Sequence, residues 1–373
     1  MNSEIPLFKV FMSPRAKHEV GKILDSGWIA QGKITDEYET KLSKWLDHPR
    51  VATVNSCTSA IHLTLYYLKQ KYNWENPEVI TTPLTCAATN MPIVTNGYTL
   101  KWADVSEDYN INIDSIKNAI TDKTKVIILV HWGGNYINFE ELRSKIPDDI
   151  HIIEDCAHAW GAEWKGEKNP KESKNHWKCY STQAIKTLTT GDGGALCVPN
   201  DEDFKEIRKL RWFGLDRDND QDFRSGQDIQ TPGWKFQTND IASAIGLENL
   251  KFLPYLIKKA RECADYYNKN IWNDFIIKPV VNKDSNPSWW LYTLSVKHRN
   301  EFIDHLKKHN ISAHWVHTRN DKLSCFSQYK EKLPLMDSIE NNMVCIPCGW
   351  WLDKHDMEKI VEVVNGYSPM ETR

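Results

Sequence analysis

No stretch of this chain is apolar over anything near the roughly 20 residues that cross a bilayer, so no membrane span is expected. Nor is one charge in excess. Lys and Arg number 47 against 50 Asp and Glu, a formal net charge of −3, which offers no general attraction to nucleic acid or anionic lipid. The opening residues Met1-Asn2-Ser3-Glu4-Ile5-Pro6 lack the basic and apolar regions of a secretory leader, and a cytoplasmic protein is the expectation. A disulfide framework is missing too: nine cysteines, an odd number, are scattered over 373 residues, which reads as reduced thiols. Cys345 and Cys348 form a CxxC without a second pair at zinc-ribbon spacing, so no metal site is expected. Internal repeats and low-complexity segments are absent. Hydrophobic residues, by contrast, make up 40% of the chain, with sixteen tryptophans among them, and most of those rings read as core.

Residues 1–250 alternate short apolar runs with helical patterns, which is how a mostly parallel sheet flanked by helices reads. Strands are expected at Val51–Val54, Val79–Pro83, Val126–Val130, His151–Asp155 and Ala195–Val198. The continuous run Val126-Ile127-Ile128-Leu129-Val130 marks a strand buried on both faces. Residues 251–373 form a smaller α+β unit, with a strand at Leu291–Val296 and helices at Glu301–Lys308 and Asp353–Val364. A long helix from Leu250 to Asn270 is expected to join the two.

In open α/β sheets ligands bind at the carboxyl ends of the strands, so the polar strand tips should gather in one place. They supply Thr58, Ser59, Thr85, His131, Asp155, His158, Ser181 and Lys186. Thr58 and Ser59 stand where a strand turns into a helix, and free N–H groups there make an anion site. Asp155 could pair with a protonated pyridine nitrogen, and Lys186 lies among small, hydroxylated and apolar residues with no acid beside it to hold it charged. The Gly191-Asp192-Gly193-Gly194 run lets backbone approach closely behind that lysine. Hydroxyls and a helix start for phosphate, an acid for a ring nitrogen and a lysine for an aldehyde resemble a pyridoxal-phosphate site.

The order of these elements extends the likeness. Ser26-Gly27-Trp28-Ile29-Ala30-Gln31-Gly32, Val54-Asn55-Ser56-Cys57-Thr58-Ser59-Ala60, Ile153-Glu154-Asp155-Cys156-Ala157-His158-Ala159, the segment from Ser181 to Lys186 and Asp240-Ile241-Ala242-Ser243-Ala244-Ile245-Gly246 together resemble the DegT/DnrJ/StrS nucleotide-sugar aminotransferases, a branch of the aspartate-aminotransferase fold. The resemblance implies pyridoxal phosphate as cofactor, with its pyridoxamine form between half-reactions. It assigns Lys186 and Asp155 the catalytic roles, as carrier of the aldehyde and partner of the pyridine nitrogen. Thr58, Ser59 and Ser181 correspond to phosphate ligands, and His158 to the residue at the ring hydroxyl. Cys86 falls where an aromatic usually stacks on the ring, and Cys57 where the phosphate turn usually has Gly. The family's members are homodimers with shared sites, in which Lys235 and Gln237 of Gly233–Gln237 would reach the other subunit's phosphate. Trp28, His131, Trp132 and His317 are expected to face substrate, with walls from Ser288-Trp289-Trp290 and Gly349-Trp350-Trp351. The implied reaction moves an amine from an amino acid, glutamate above all, to C4 of a UDP- or dTDP-linked 4-keto-6-deoxyglucose. A C3-keto acceptor is the nearest alternative. Sugar dehydratases of this fold replace the lysine with histidine, and a non-catalytic relative would be expected to lose Lys186, Asp155 or the phosphate hydroxyls; all are kept.

Overall fold

The computed structural model describes residues 4–168, 175–217 and 226–369. In chain order the large sheet takes β1 (Val51–Val54), β2 (Glu78–Thr81), β3 (Thr99–Trp102), β4 (Thr124–Val130) and β5 (His151–Asp155). A two-residue strand, β6 (Glu163–Trp164), lies outside it, and β7 (His176–Ser181) and β8 (Gly194–Cys197) complete it. Its order is β1-β8-β7-β5-β4-β2-β3, parallel throughout except for β8, which runs antiparallel to both neighbours. This is the expected α/β architecture with a mixed, mostly parallel sheet.

Alternation along the strands explains why both faces are covered. Val126, Ile128 and Ile153 join one core with Ile61 and Leu65, whereas Ile127, Leu129 and Ile152 join another with Ile116 and Leu142. Helices α1 (Ala16–Ser26) and α2 (Lys33–Leu46) pack on the helix Asp240–Leu250, and α3 (Cys57–Tyr72) and α4 (Ala87–Thr95) follow β1 and β2.

The helix expected from Leu250 to Asn270 begins instead at Leu253, after the previous helix has ended at Leu250. Pro254 is the cause: lacking an N–H, it is suited to a first turn and not to a helix interior. Beyond it, β9 (Ile276–Ile277), β11 (Tyr292–Val296) and β12 (Met343–Ile346) form an antiparallel sheet, while β10 (Ser285–Asn286) pairs with β6. The first residues join this second sheet's core, since Ile5 is buried there and its N–H donates to Asn310 O at 2.9 Å. Among the described residues no helix is long and apolar enough to cross a membrane.

Candidate active site

Strand register gathers the site. Gly194 lies opposite Val54 on one side and Ser181 on the other, so the turn after β1 and the end of β7 flank one residue of β8. A Cβ on Gly194 would stand 2.7 Å from Cys57 N and Tyr180 O, which is why the backbone here is bare. Asp155, paired with Val130, ends the next strand along.

At the first turn, Ser56 caps α3 by accepting the Ser59 N–H at 3.0 Å, and the Ser59 hydroxyl donates to Asn55 Oδ1 at 2.6 Å. The opening N–H groups of such a helix have no carbonyl one turn back to bond and carry the positive end of its dipole. Ser59 is buried and Thr58 half-buried at this terminus. Asn55 N–H donates to Phe236 O at 2.7 Å, so the segment holding Lys235 and Gln237 lies against the same turn within one chain. Lys235 is exposed, with its ammonium 5.5 Å from the Trp212 ring centroid, and Gln237 Oε1 is buried without a hydrogen-bond partner among the described residues.

Asp155 is held by three donors. Thr89 Oγ1 donates to Oδ2 at 2.7 Å, the Ala157 N–H to Oδ1 at 2.9 Å, and the Cys57 thiol approaches Oδ1 at 3.7 Å. Thr85 and Thr89, one helical turn apart, share a hydrogen bond of 2.8 Å behind it. Together these contacts fix the orientation of its carboxyl group.

Lys186 lies on the loop between β7 and β8, its N–H donating to Gln183 O at 2.9 Å. The residue is half-buried, but its amine end points inward. Among the described residues that amine has no hydrogen bond or ion pair; it sits 3.5 Å from the centroid of the Trp290 ring. Burial pushes its pKa down to about 8, against the opposing pull of Asp155, Cys86 and Cys57. Cys86, exposed at the N-terminus of α4, lies near enough to act on the lysine's charge. Ser181, buried at the end of β7, accepts the Gln183 N–H at 3.3 Å.

Aromatic rings close the far side. His158 Nδ1 accepts the Gly133 N–H at 3.4 Å, leaving Nε2 to carry the proton. Its ring stacks on Trp290 at 4.0 Å and lies parallel to His317 at 5.9 Å. Burial, reinforced by Lys186, holds the His158 pKa well below the usual value. Trp132 is buried edge-on to both histidines and gives its indole N–H to Thr293 Oγ1 at 2.9 Å, so it backs the site as a wall. Trp290 gives its N–H to Ile185 O at 2.9 Å, and Trp289, Trp350 and Trp351 line a cleft with it beside Lys186.

One expected residue is corrected. His131 is wholly buried, and its Nε2 meets Glu154 Oε2 at 2.5 Å. Because Glu154 and Asp155 are consecutive in a strand they point to opposite faces, and His131 follows Glu154 away from the site. Trp28 is 60% exposed on the turn between α1 and α2 and shares no contact with the Lys186 surroundings among the described residues. Thr89 and Asn320 were not foreseen. The Thr85–Thr89 spacing was a signal that could have been read, but Asn320, which donates to Thr85 O at 2.8 Å from across the molecule, left none.

Hydroxyls and helix N–H groups at one end, a donor-stabilised carboxylate at the other and an amine that readily loses its charge between them fit pyridoxal phosphate. The comparisons agree. The crystal structure of sugar aminotransferase CalS13 from Micromonospora echinospora is 35% identical, with a TM-score of 0.92 over 97% of this chain and 100% of that one. Spr1654 from Streptococcus pneumoniae, in its PLP form, is 26% identical with a TM-score of 0.87, covering 97% of this chain and 98% of that one. A Helicobacter pylori UDP-4-amino-4,6-dideoxy-N-acetyl-beta-L-altrosamine transaminase is 32% identical over 68% of this chain and 66% of its own length. With residues 12–365 matching it, this chain belongs to the DegT/DnrJ/EryC1/StrS aminotransferase family.

Proposed function

We propose that the enzyme transfers an amine from an amino acid, glutamate, to the carbonyl of a nucleotide-linked keto-deoxy sugar, at C4 of UDP- or dTDP-4-keto-6-deoxyglucose. The observation that carries this reading is the inward-pointing Lys186 amine, free of any ion pair and close enough to Asp155 to feel its charge. Support for the acceptor comes from the transaminase and sugar aminotransferase relatives.

Bound pyridoxal phosphate supplies an electron sink that accepts an amine from one substrate and yields it to the next. The chain's residues arrange the rest. Thr58, Ser59, Ser181 and the first turn of α3 would hold the phosphate, joined in a homodimer by Lys235 and Gln237 of the other subunit. Asp155, oriented by Thr89 and the Ala157 N–H, would pair with the ring nitrogen. His158 offers its Nε2–H to the ring hydroxyl. Cys86, lacking an aromatic face, would cover the ring only in part. Lys186 Nζ, neutral in an appreciable fraction of molecules, can take a proton from the donor's α-carbon and later release one. The proposed setting is the cytoplasm, where nine free thiols persist.

The test is incubation with glutamate and a panel of UDP- and dTDP-linked 4-keto and 3-keto sugars, with NMR of the products. An amine at C4 with 2-oxoglutarate released is expected. An amine at C3 would move the acceptor carbon, and no aminated sugar from any member would overturn the reading. Borohydride reduction of the holoenzyme should leave a pyridoxyl label on Lys186, and a label elsewhere would remove that residue from its role.

A further inference from the structure

The connection from the second sheet back to the first is clamped at both ends. His314 exchanges backbone hydrogen bonds with Cys345 at 3.2 and 2.8 Å. Asn320 N–H donates to Pro83 O at 2.7 Å, while its side chain donates to Thr85 O at 2.8 Å and accepts from Asn90 at 2.9 Å. Between these clamps Val316 adopts φ 65°, and the His317 N–H reaches back to Trp315 O at 2.8 Å, a γ-turn. A β-branched residue at positive φ is unfavourable and persists only where its surroundings dictate it, a situation that clusters at functional positions.

What this turn presents is the His317 imidazole. It lies parallel to His158 at 5.9 Å and edge-on to Trp132 at 5.9 Å. Its Nε2 is buried yet has no hydrogen-bond partner among the described residues, an arrangement that is costly unless something else satisfies it. Burial, with a further push from Lys186, lowers its pKa to about 4, so the ring is neutral near pH 7. A neutral imidazole has no charge for the diphosphate or for the carboxylates of an amino-acid donor. It does have a hydrogen bond for an uncharged oxygen.

We propose that His317 Nε2 bonds a ring hydroxyl of the acceptor sugar, which makes His317 a specificity-determining residue that reads the sugar and not the amino donor. This deepens, and rests on, the keto-sugar reading above. A buried polar atom built to meet a hydroxyl discriminates strongly against a ligand that cannot supply one.

The experiment separates the two half-reactions of the full-length holoenzyme by cofactor absorbance in single turnovers. Glutamate is added to the pyridoxal form, and the keto sugar that wild type turns over best is added to the pyridoxamine form. In His317→Phe the sugar half-reaction should lose about 10- to 100-fold in kcat/KM. The donor half-reaction should lose at least tenfold less than that. His317→Gln, which keeps a hydrogen-bonding end, should recover part of the sugar-side loss and carries the same comparison if the Phe variant fails to bind cofactor. Equal losses in both half-reactions, no loss in either, or a Gln variant as impaired as Phe would overturn the assignment. Wild type inactive on every keto sugar would sink the acceptor reading and this inference with it. Active wild type with no split in the variants would sink this inference alone.

Discussion

Lys186 keeps its amine where charge is disfavoured, and that has a measurable consequence. At its pKa of about 8, roughly one amine in ten is neutral at pH 7, against about one in three thousand for a lysine at its ordinary 10.5. Only the neutral amine attacks an aldehyde. Reconstitution of apoenzyme with pyridoxal phosphate should therefore speed up as pH rises and level off above about 8, because a lowered pKa moves the neutral form into that range. Stopped-flow absorbance measures it; a rate still climbing through pH 10 would mean the amine is solvated. The donors around Asp155, the Thr89 hydroxyl and the Ala157 N–H, fix its carboxyl on the same side of the sheet's edge as this lysine's loop.

Strands show what their residues announce and what they conceal. β1 and β5 occupy the expected residues, because uninterrupted apolar runs leading to a polar tip have few other readings. Asp353 likewise announces the helix that starts at Lys354, accepting the Asp356 N–H at 2.8 Å. β7 was hidden. His176 and Lys178 alternate with Trp177 and Cys179, and all four are buried, which no sequence pattern for a core strand suggests. The reason lies 22 residues upstream in Glu154, whose Oε1 meets His176 Nε2 at 2.6 Å and lies 3.4 Å from Lys178 Nζ, while Oε2 takes His131. The same network misled the reading of His131, since a polar strand tip looks alike whether it serves a ligand or a buried partner. Lys186, Asp155 and Ser59 stand out in the sequence through their motif order, whereas the contacts of Thr89, Trp290 and Asn320 join segments far apart in sequence. Burial alone would raise the Glu154 pKa, but Lys178 and His176 overcome it and hold the carboxyl well below its usual range. Glu154→Leu would strip these groups of the carboxylate they share, and breaking such a buried cluster from one side costs about 3–5 kcal/mol. Chemical denaturation should show that loss, with retention of wild-type stability counting against a structural role for the cluster.

At the scale of the whole molecule the question is whether a second copy would complete the proposed phosphate site. Phe236 is tied to Asn55 of its own chain, which fixes residues 233–237 beside the first turn of α3. Lys235 is exposed, and its ammonium stands over the Trp212 ring at 5.5 Å from the centroid. A two-fold axis passing near this rim would lay the segment of each copy against the turn of the other, since in such an interface a contact made one way is also made the other way. Subunit mixing decides between the arrangements. A Lys186→Ala chain lacks the amine, and a Lys235→Ala/Gln237→Ala chain lacks the two side chains. If sites are shared, co-refolding equal amounts creates mixed dimers in which one site carries every lesion and the other carries none. Half the dimers are mixed and each has one intact site, so about a quarter of wild-type activity should return from two impaired parents. If each chain instead serves its own phosphate, every site in a mixed dimer keeps one lesion, and activity stays at the average of the parents.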